Sequence, residues 1–163
     1  MTSSRTVACL LLAAVSLSCR PVSDQVLTAD ERRAVADTIG LLFNEIPDAT
    51  NALDFDRLLG YYRDSEDLTY VARGRVTRSY RAFAELLDAQ FRGVTEADLR
   101  WMDTYVDVLS RDIAVATATY EFTAILEARD TAQSAGTFMG IYVLRDGNWQ
   151  IEYSAHSFPL ARR

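Results

Sequence analysis

The side chains of this chain with chemistry to offer are one histidine, eight tyrosines and a scatter of carboxylates. All 17 basic residues are arginine, and lysine is absent. That removes Schiff-base chemistry, a phosphate-loop lysine and any lysine general base. Proton transfer therefore falls to carboxylates, phenols and His156. Over Leu99–Leu109 the residues alternate, and a regular strand would put Trp101, Asp103, Tyr105 and Asp107 on one face. Glu121 sits midway along a second apolar–polar stretch, beside Thr119 and Thr123. The plainer reading of Asp103, Asp107 and Glu121 is a solvated sheet face. Tyr61, Tyr62 and Tyr70 lie around a short helix and an early strand. Tyr105, Tyr120, Tyr142 and Tyr153 lie on the later strands. Arg73, Arg75, Arg78 and Arg81 form the main basic cluster. They would suit an acidic ligand, or else mark a solvated helix face beside Val76, Tyr80 and Phe83.

The elements that must position these groups are legible as patterns. Thr28 and Glu31 have capping-box spacing. Val35, Ile39, Leu42, Phe43 and Ile46 follow at helical spacing, and Pro47 is expected to stop that helix. Thr50–Leu59 reads as a shorter helix and Leu68–Val71 as a short strand. Val76, Tyr80, Phe83, Leu87 and Phe91 mark a third helix, with Gly93 as its terminator. Strands are then expected over Leu99–Leu109, Ala114–Leu126, Gly136–Leu144 and Trp149–Phe158. Asp146-Gly147 suits the tight turn of the last hairpin. Helices first and an antiparallel meander after predict a single α+β domain over residues 27–160.

Composition narrows the function classes. The chain has 163 residues and is 49% hydrophobic and 25% charged, which describes a globular domain. The net charge of −6 offers no bulk attraction for nucleic acid. Two cysteines exclude a disulfide-dense scaffold. No phosphate-binding glycine loop, nucleophile elbow, metal-ligand trio or dinucleotide signature stands out, so neither cofactor nor metal is expected.

The first 18 residues carry Arg5 and then an apolar run from Val7 to Leu17, the layout of an export signal. Ser16-Leu17-Ser18-Cys19 resembles the bacterial lipoprotein processing site. Lipidation at Cys19, a tether over 19–26 and an anchored place in the bacterial cell envelope are therefore expected. Cys9 would leave with the signal.

Residues 136–153, which carry Gly140, Arg145-Asp146-Gly147, Trp149 and Ile151, with His156-Ser157 beyond, resemble the closing hairpin of the NTF2-like superfamily. The resemblance is to its SnoaL-like and ketosteroid-isomerase-like branch. The order of helices and strands agrees over roughly Leu27–Pro159. The resemblance implies a cone-shaped fold, with N-terminal helices packed in a curved antiparallel sheet around a pocket. It implies a small apolar or amphipathic ligand and a homodimer through the outer sheet face.

The family also implies alternatives. One is an isomerase, cyclase or dehydratase that uses a pocket carboxylate (Asp103, Asp107 or Glu121) with a Tyr or His donor. The ligand contacts would come from Tyr62, Tyr70, Tyr105, Tyr120 and His156. Another is a non-catalytic accessory lipoprotein or protein-interaction module. In related chains the histidine often stands at the position of Ala155. A regular strand would turn His156 outward, with Gln150, Glu152 and Ser154, and a bulge would return it.

Overall fold

The computed structural model describes residues 27–159. The expected export signal, the expected lipidation at Cys19 and the tether lie outside the described residues. Helix α1 spans Ala29–Asn51 and begins at the capping box, with both reciprocal bonds between Thr28 and Glu31 in place. The Thr28 N–H, the Arg111 guanidinium and the Thr28 hydroxyl all donate to the Glu31 carboxyl and hold it below its usual range. Helix α2 spans Phe55–Gly60 and is capped by Asp54. Strands β1 (Thr69–Ala72) and β2 (Arg75–Arg78) form a hairpin. Helix α3 follows over Tyr80–Phe91. Strands β3 (Val94–Val108), β4 (Ile113–Leu126), β5 (Thr131–Arg145) and β6 (Asn148–Ser157) complete the order.

Pro47 does not stop α1. The helix runs through it for another turn. Proline has no N–H to give to the carbonyl four residues back, which is that of Phe43. The Trp101 indole Nε1–H donates to that carbonyl instead, at 3.0 Å. A donor from the sheet thus satisfies the acceptor that proline orphans. The last turn of α1 is tied to the sheet as well. Asn51 accepts from the Leu99 N–H at 2.6 Å and donates to the Leu99 carbonyl at 3.1 Å. It pairs with β3 as a neighbouring strand would, and β3 is an edge strand.

The sheet has six strands in the order β2-β1-β6-β5-β4-β3. It is open and mixed, which corrects the expectation of an antiparallel sheet curled into a cone: β1 runs parallel to β6, and β2 and β3 stand at its two edges, not paired with each other. The chain between them passes through β2, α3 and three strands, ample length for a same-direction return. The expected meander of β3 to β6 is present and antiparallel. The third helix starts later than Val76, because Arg73-Gly74 makes a tight turn with φ of 52° and 73°. Val76 therefore lies on β2 and is exposed. The basic cluster is split the same way: Arg73 is in the turn, Arg75 and Arg78 on β2, and only Arg81 on α3. Gly93, at φ 80°, follows α3 as expected, and Asp146-Gly147 takes positive φ in the last hairpin.

The core lies between α1 and the inner sheet face. Ile39, Phe43 and Ile46 meet Ala114, Ala116, Ala118 and Phe138. The three alanines alternate along β4 and give the helix a shallow seat. Gly136 has no room for a side chain, since an added Cβ would sit 2.0 Å from the Ser157 carbonyl oxygen. That close approach holds the end of β6 against β5.

Candidate functional site

Two bulges decide which side chains reach the inner face. In β3, Trp101 pairs with Tyr120 and Thr104 with Ala118. Met102 and Asp103 therefore stand together opposite the single residue Thr119. Alternation is broken there. Trp101 points inward, and Val106 and Val108 take the inner face beyond the bulge, opposite Ala116 and Ala114. Asp103, Tyr105 and Asp107 end up on the outer face. Tyr105 is 65% exposed, and Asp103 is bonded by Thr119. Glu121 is exposed on β4, next to the inward Tyr120. The expected carboxylate candidates are thus placed away from the inner face, and Tyr105 with them.

In β6, Tyr142 pairs with Ile151 and Ile141 with Tyr153, leaving Glu152 as the extra residue. Its carboxylate is held outside by Arg63 at 2.7 Å. Beyond this bulge the pattern is reversed. Ser154 and His156 join Ile151 on the inner face, opposite Gly140 and Phe138. The displacement of the histidine by one residue is offset by one residue of bulge.

Inside the fold is a cavity of about 440 Å³. Its lining includes Tyr62, Tyr70, Trp101, Tyr120, Phe138 and His156, so four of the five expected contact residues come together. The fifth, Tyr105, does not. Further lining comes from Leu58, Phe83, Leu87, Phe91, Phe122 and Leu126, with Ser134, Gln90 and Thr50 as polar members. Among the described residues, no aspartate or glutamate lines it. Arg73 and Phe158 also line it, and the residue patterns did not single them out for this cavity. The Arg73 guanidinium lies 5.0 Å from the Phe158 ring centroid.

His156 sits in an aromatic frame. Ring centroids lie 4.9 Å away for Phe138, 5.4 Å for Tyr70, 5.7 Å for Tyr120 and 6.3 Å for Phe158. Burial pushes the imidazole down to about 4. It is therefore neutral near pH 7, with one nitrogen donating and one accepting. Its side chain makes no hydrogen bond among the described residues. Burial pushes the Tyr70 phenol up to about 12 and raises those of Tyr120 and Tyr62. All three stay protonated and can donate. Tyr62 packs on Phe83 at 4.5 Å, beside Ser154, whose buried hydroxyl has no partner among the described residues. Trp101 stacks on Phe43 at 4.7 Å and 8° and closes the cavity on the α1 side. Trp149 packs on the core outside the cavity lining.

This arrangement offers one neutral acceptor flanked by phenolic donors in a largely apolar chamber that Arg73, Gln90, Ser134 and Thr50 also line. A buried base with donors aimed at the same region is what proton abstraction beside a carbonyl requires. Among the described residues, no three His, Cys, Asp or Glu side chains gather as metal ligands. Also among them, no helix is long and apolar enough to cross a membrane.

Several solved structures share the fold. One is provisionally named a scytalone dehydratase, from Novosphingobium aromaticivorans. It is 12% identical at a TM-score of 0.72, covering 82% of this chain and 89% of that one. A protein of unknown function from Mycobacterium tuberculosis is 22% identical at 0.68, covering 83% and 78%. A hexachlorocyclohexane dehydrochlorinase from Novosphingobium barchaimii is 15% identical at 0.67, covering 80% and 90%. No curated protein matches the chain. The family model of the SnoaL-like domain matches residues 39–161. With that match over most of its length and the helix-and-sheet order described above, the chain belongs to the SnoaL-like family of NTF2-like proteins.

Proposed function

We propose that the chain binds a small, largely apolar molecule in this cavity, with one oxygen-bearing end at His156, Tyr70 and Tyr120. The carrying observation is a chamber of about 440 Å³ whose hydrogen-bonding groups gather around one histidine. That volume lies within the several-hundred-Å³ range of ordinary ligand sites. The test is thermal unfolding with a panel of cyclic ketones and their hydroxy analogues. A ligand at 100 times its Kd stabilises by about 2.7 kcal/mol. Ser134→Trp, which fills part of the lining, should abolish the shift. No shift from any member at millimolar concentration sinks the reading, and an accessory protein-binding role then takes its place.

A second reading is favoured by the neutral imidazole: an enzyme of isomerase or dehydratase type in which His156 takes the proton. A dehydratase and a dehydrochlorinase appear by name among the structural neighbours. Among the described residues no carboxylate lines the cavity, so the histidine takes the place of the expected carboxylate base in this scheme. Hydrogen–deuterium exchange at the α-carbon of 2-tetralone, held by excess protein in D2O, reads this directly. His156→Gln should slow exchange by about 100-fold or more. In the wild type the rate should rise with pH through about 4 and stay flat above. Equal rates in the two proteins leave binding without catalysis.

Export and anchoring belong to the same proposal. Cys19→Ser should end lipid labelling and release the chain from membranes, and continued anchoring refutes it. Tyr153, Met139 and Ile141 lie on the sheet face away from α1 and supply apolar area for a homodimer, which sedimentation equilibrium would detect or exclude.

A further inference from the structure

We infer that the molecule bound here carries an anionic group, a carboxylate in the simplest case, and that Arg73 selects it. The inference rests on the binding reading above and adds a substrate class to it. Among the described residues, Arg73 is the only formally charged side chain in the lining near neutral pH, because no aspartate or glutamate of theirs contributes and His156 is neutral. An unbalanced cation at the rim of a low-dielectric chamber concentrates anions there. Among the described residues, Arg73 makes no ion pair.

The backbone presents this side chain deliberately. Arg73 occupies the first left-handed position of the β1–β2 turn, at φ 52°, where most side chains are disfavoured. The guanidinium is then steadied over the Phe158 ring at 5.0 Å, leaving its edge for a planar anion. The same charge acts on the Tyr70 and Tyr120 phenols, which ties it to the polar end around His156.

The cavity is polarised along the sheet. Strands β1 and β6 supply Tyr70 and His156, with Tyr120 of β4 beside them, while the rest of the β3 and β4 lining is Val94, Leu99, Trp101, Phe122, Ala124 and Leu126. A fitting molecule therefore has its acid at the Arg73 side and an apolar or aromatic body reaching toward β3. The phenols and the imidazole remain available to a second oxygen near the acid.

The test compares 2-naphthoate with 2-naphthamide, which share a ring system and differ in charge, by calorimetry on the full chain. Wild type should bind the acid about ten-fold more tightly at low salt, with the preference shrinking as salt rises. Arg73→Gln should bring the acid-to-amide ratio close to one, and Arg73→Lys should keep part of it as a point charge. Arg75→Gln, on the same hairpin but outside the lining, should leave the ratio as in wild type. Equal affinities for acid and amide in wild type overturn the anion inference and leave the cavity reading standing. An acid preference that survives Arg73→Gln overturns the assignment to Arg73. No binding of either compound overturns the cavity reading and this inference together.

Discussion

Acidification from pH 7 to pH 4 is expected to cost the wild-type protein about 3 kcal/mol more than it costs a His156→Gln variant. The folded imidazole titrates at about 4 and the unfolded one near 6.5. Between those values the unfolded chain takes up a proton that the folded chain does not. The contribution is fully present above pH 6.5 and is lost as pH falls toward 4. Glutamine has no proton to gain, so its curve lacks this component. Subtracting the curves also removes the acid titration of surface carboxylates, Glu31 included, which both proteins share. For a domain of this size the difference is on the order of 10 °C in Tm. Parallel Tm–pH curves would mean a solvated imidazole, and the site around it would fall. The same burial keeps His156 neutral and able to accept a proton at working pH, so the stability curve and the exchange rate report one property.

The orientation of that histidine shows where residue patterns stop being sufficient. Alternation assigns faces only while the register is unbroken, and one extra residue reverses everything beyond it. Glu152 in β6 does this in favour of His156. Met102-Asp103 in β3 does it against Asp103, Tyr105 and Asp107. Neither bulge is marked by glycine or by a composition change. The extra residue is fixed by pairing with a neighbouring strand, which is a long-range matter. Local chemistry was read more securely. The Thr28–Glu31 box, the Asp146-Gly147 turn and the Gly93 terminator each depend on a few adjacent residues, and each stands where the sequence implies. The alternation of β4 was also plain, because no bulge interrupts its pairing with β5. Arg73 was visible as part of a basic cluster. Its separation from that cluster needed the β1–β2 turn, which the helical spacing of Val76, Tyr80 and Phe83 concealed.

Pro47 is the clearest conflict between local rule and tertiary structure, and it leads to the other large effect. Truncating Trp101 to alanine is expected to cost about 4 kcal/mol, from lost aromatic packing and an emptied cavity wall. Trp101→Phe isolates the polar part of that loss. Phenylalanine can still stack on Phe43, but it leaves the Phe43 carbonyl without the donor that Pro47 cannot supply. The expected cost is about 2 kcal/mol, part packing and part unsatisfied acceptor. Pro47→Ala restores a backbone N–H in register with that carbonyl. In the double variant the Trp101→Phe penalty should therefore shrink by about 1 kcal/mol. Proline also restricts the unfolded chain, but that contribution appears in both backgrounds and cancels in the cycle. Additive penalties would show that the indole bond contributes nothing beyond packing. A coupled cycle would show that an interior proline and a cavity-wall tryptophan act as one unit. It would also mean that the wall of the binding chamber is held in place by a helix defect.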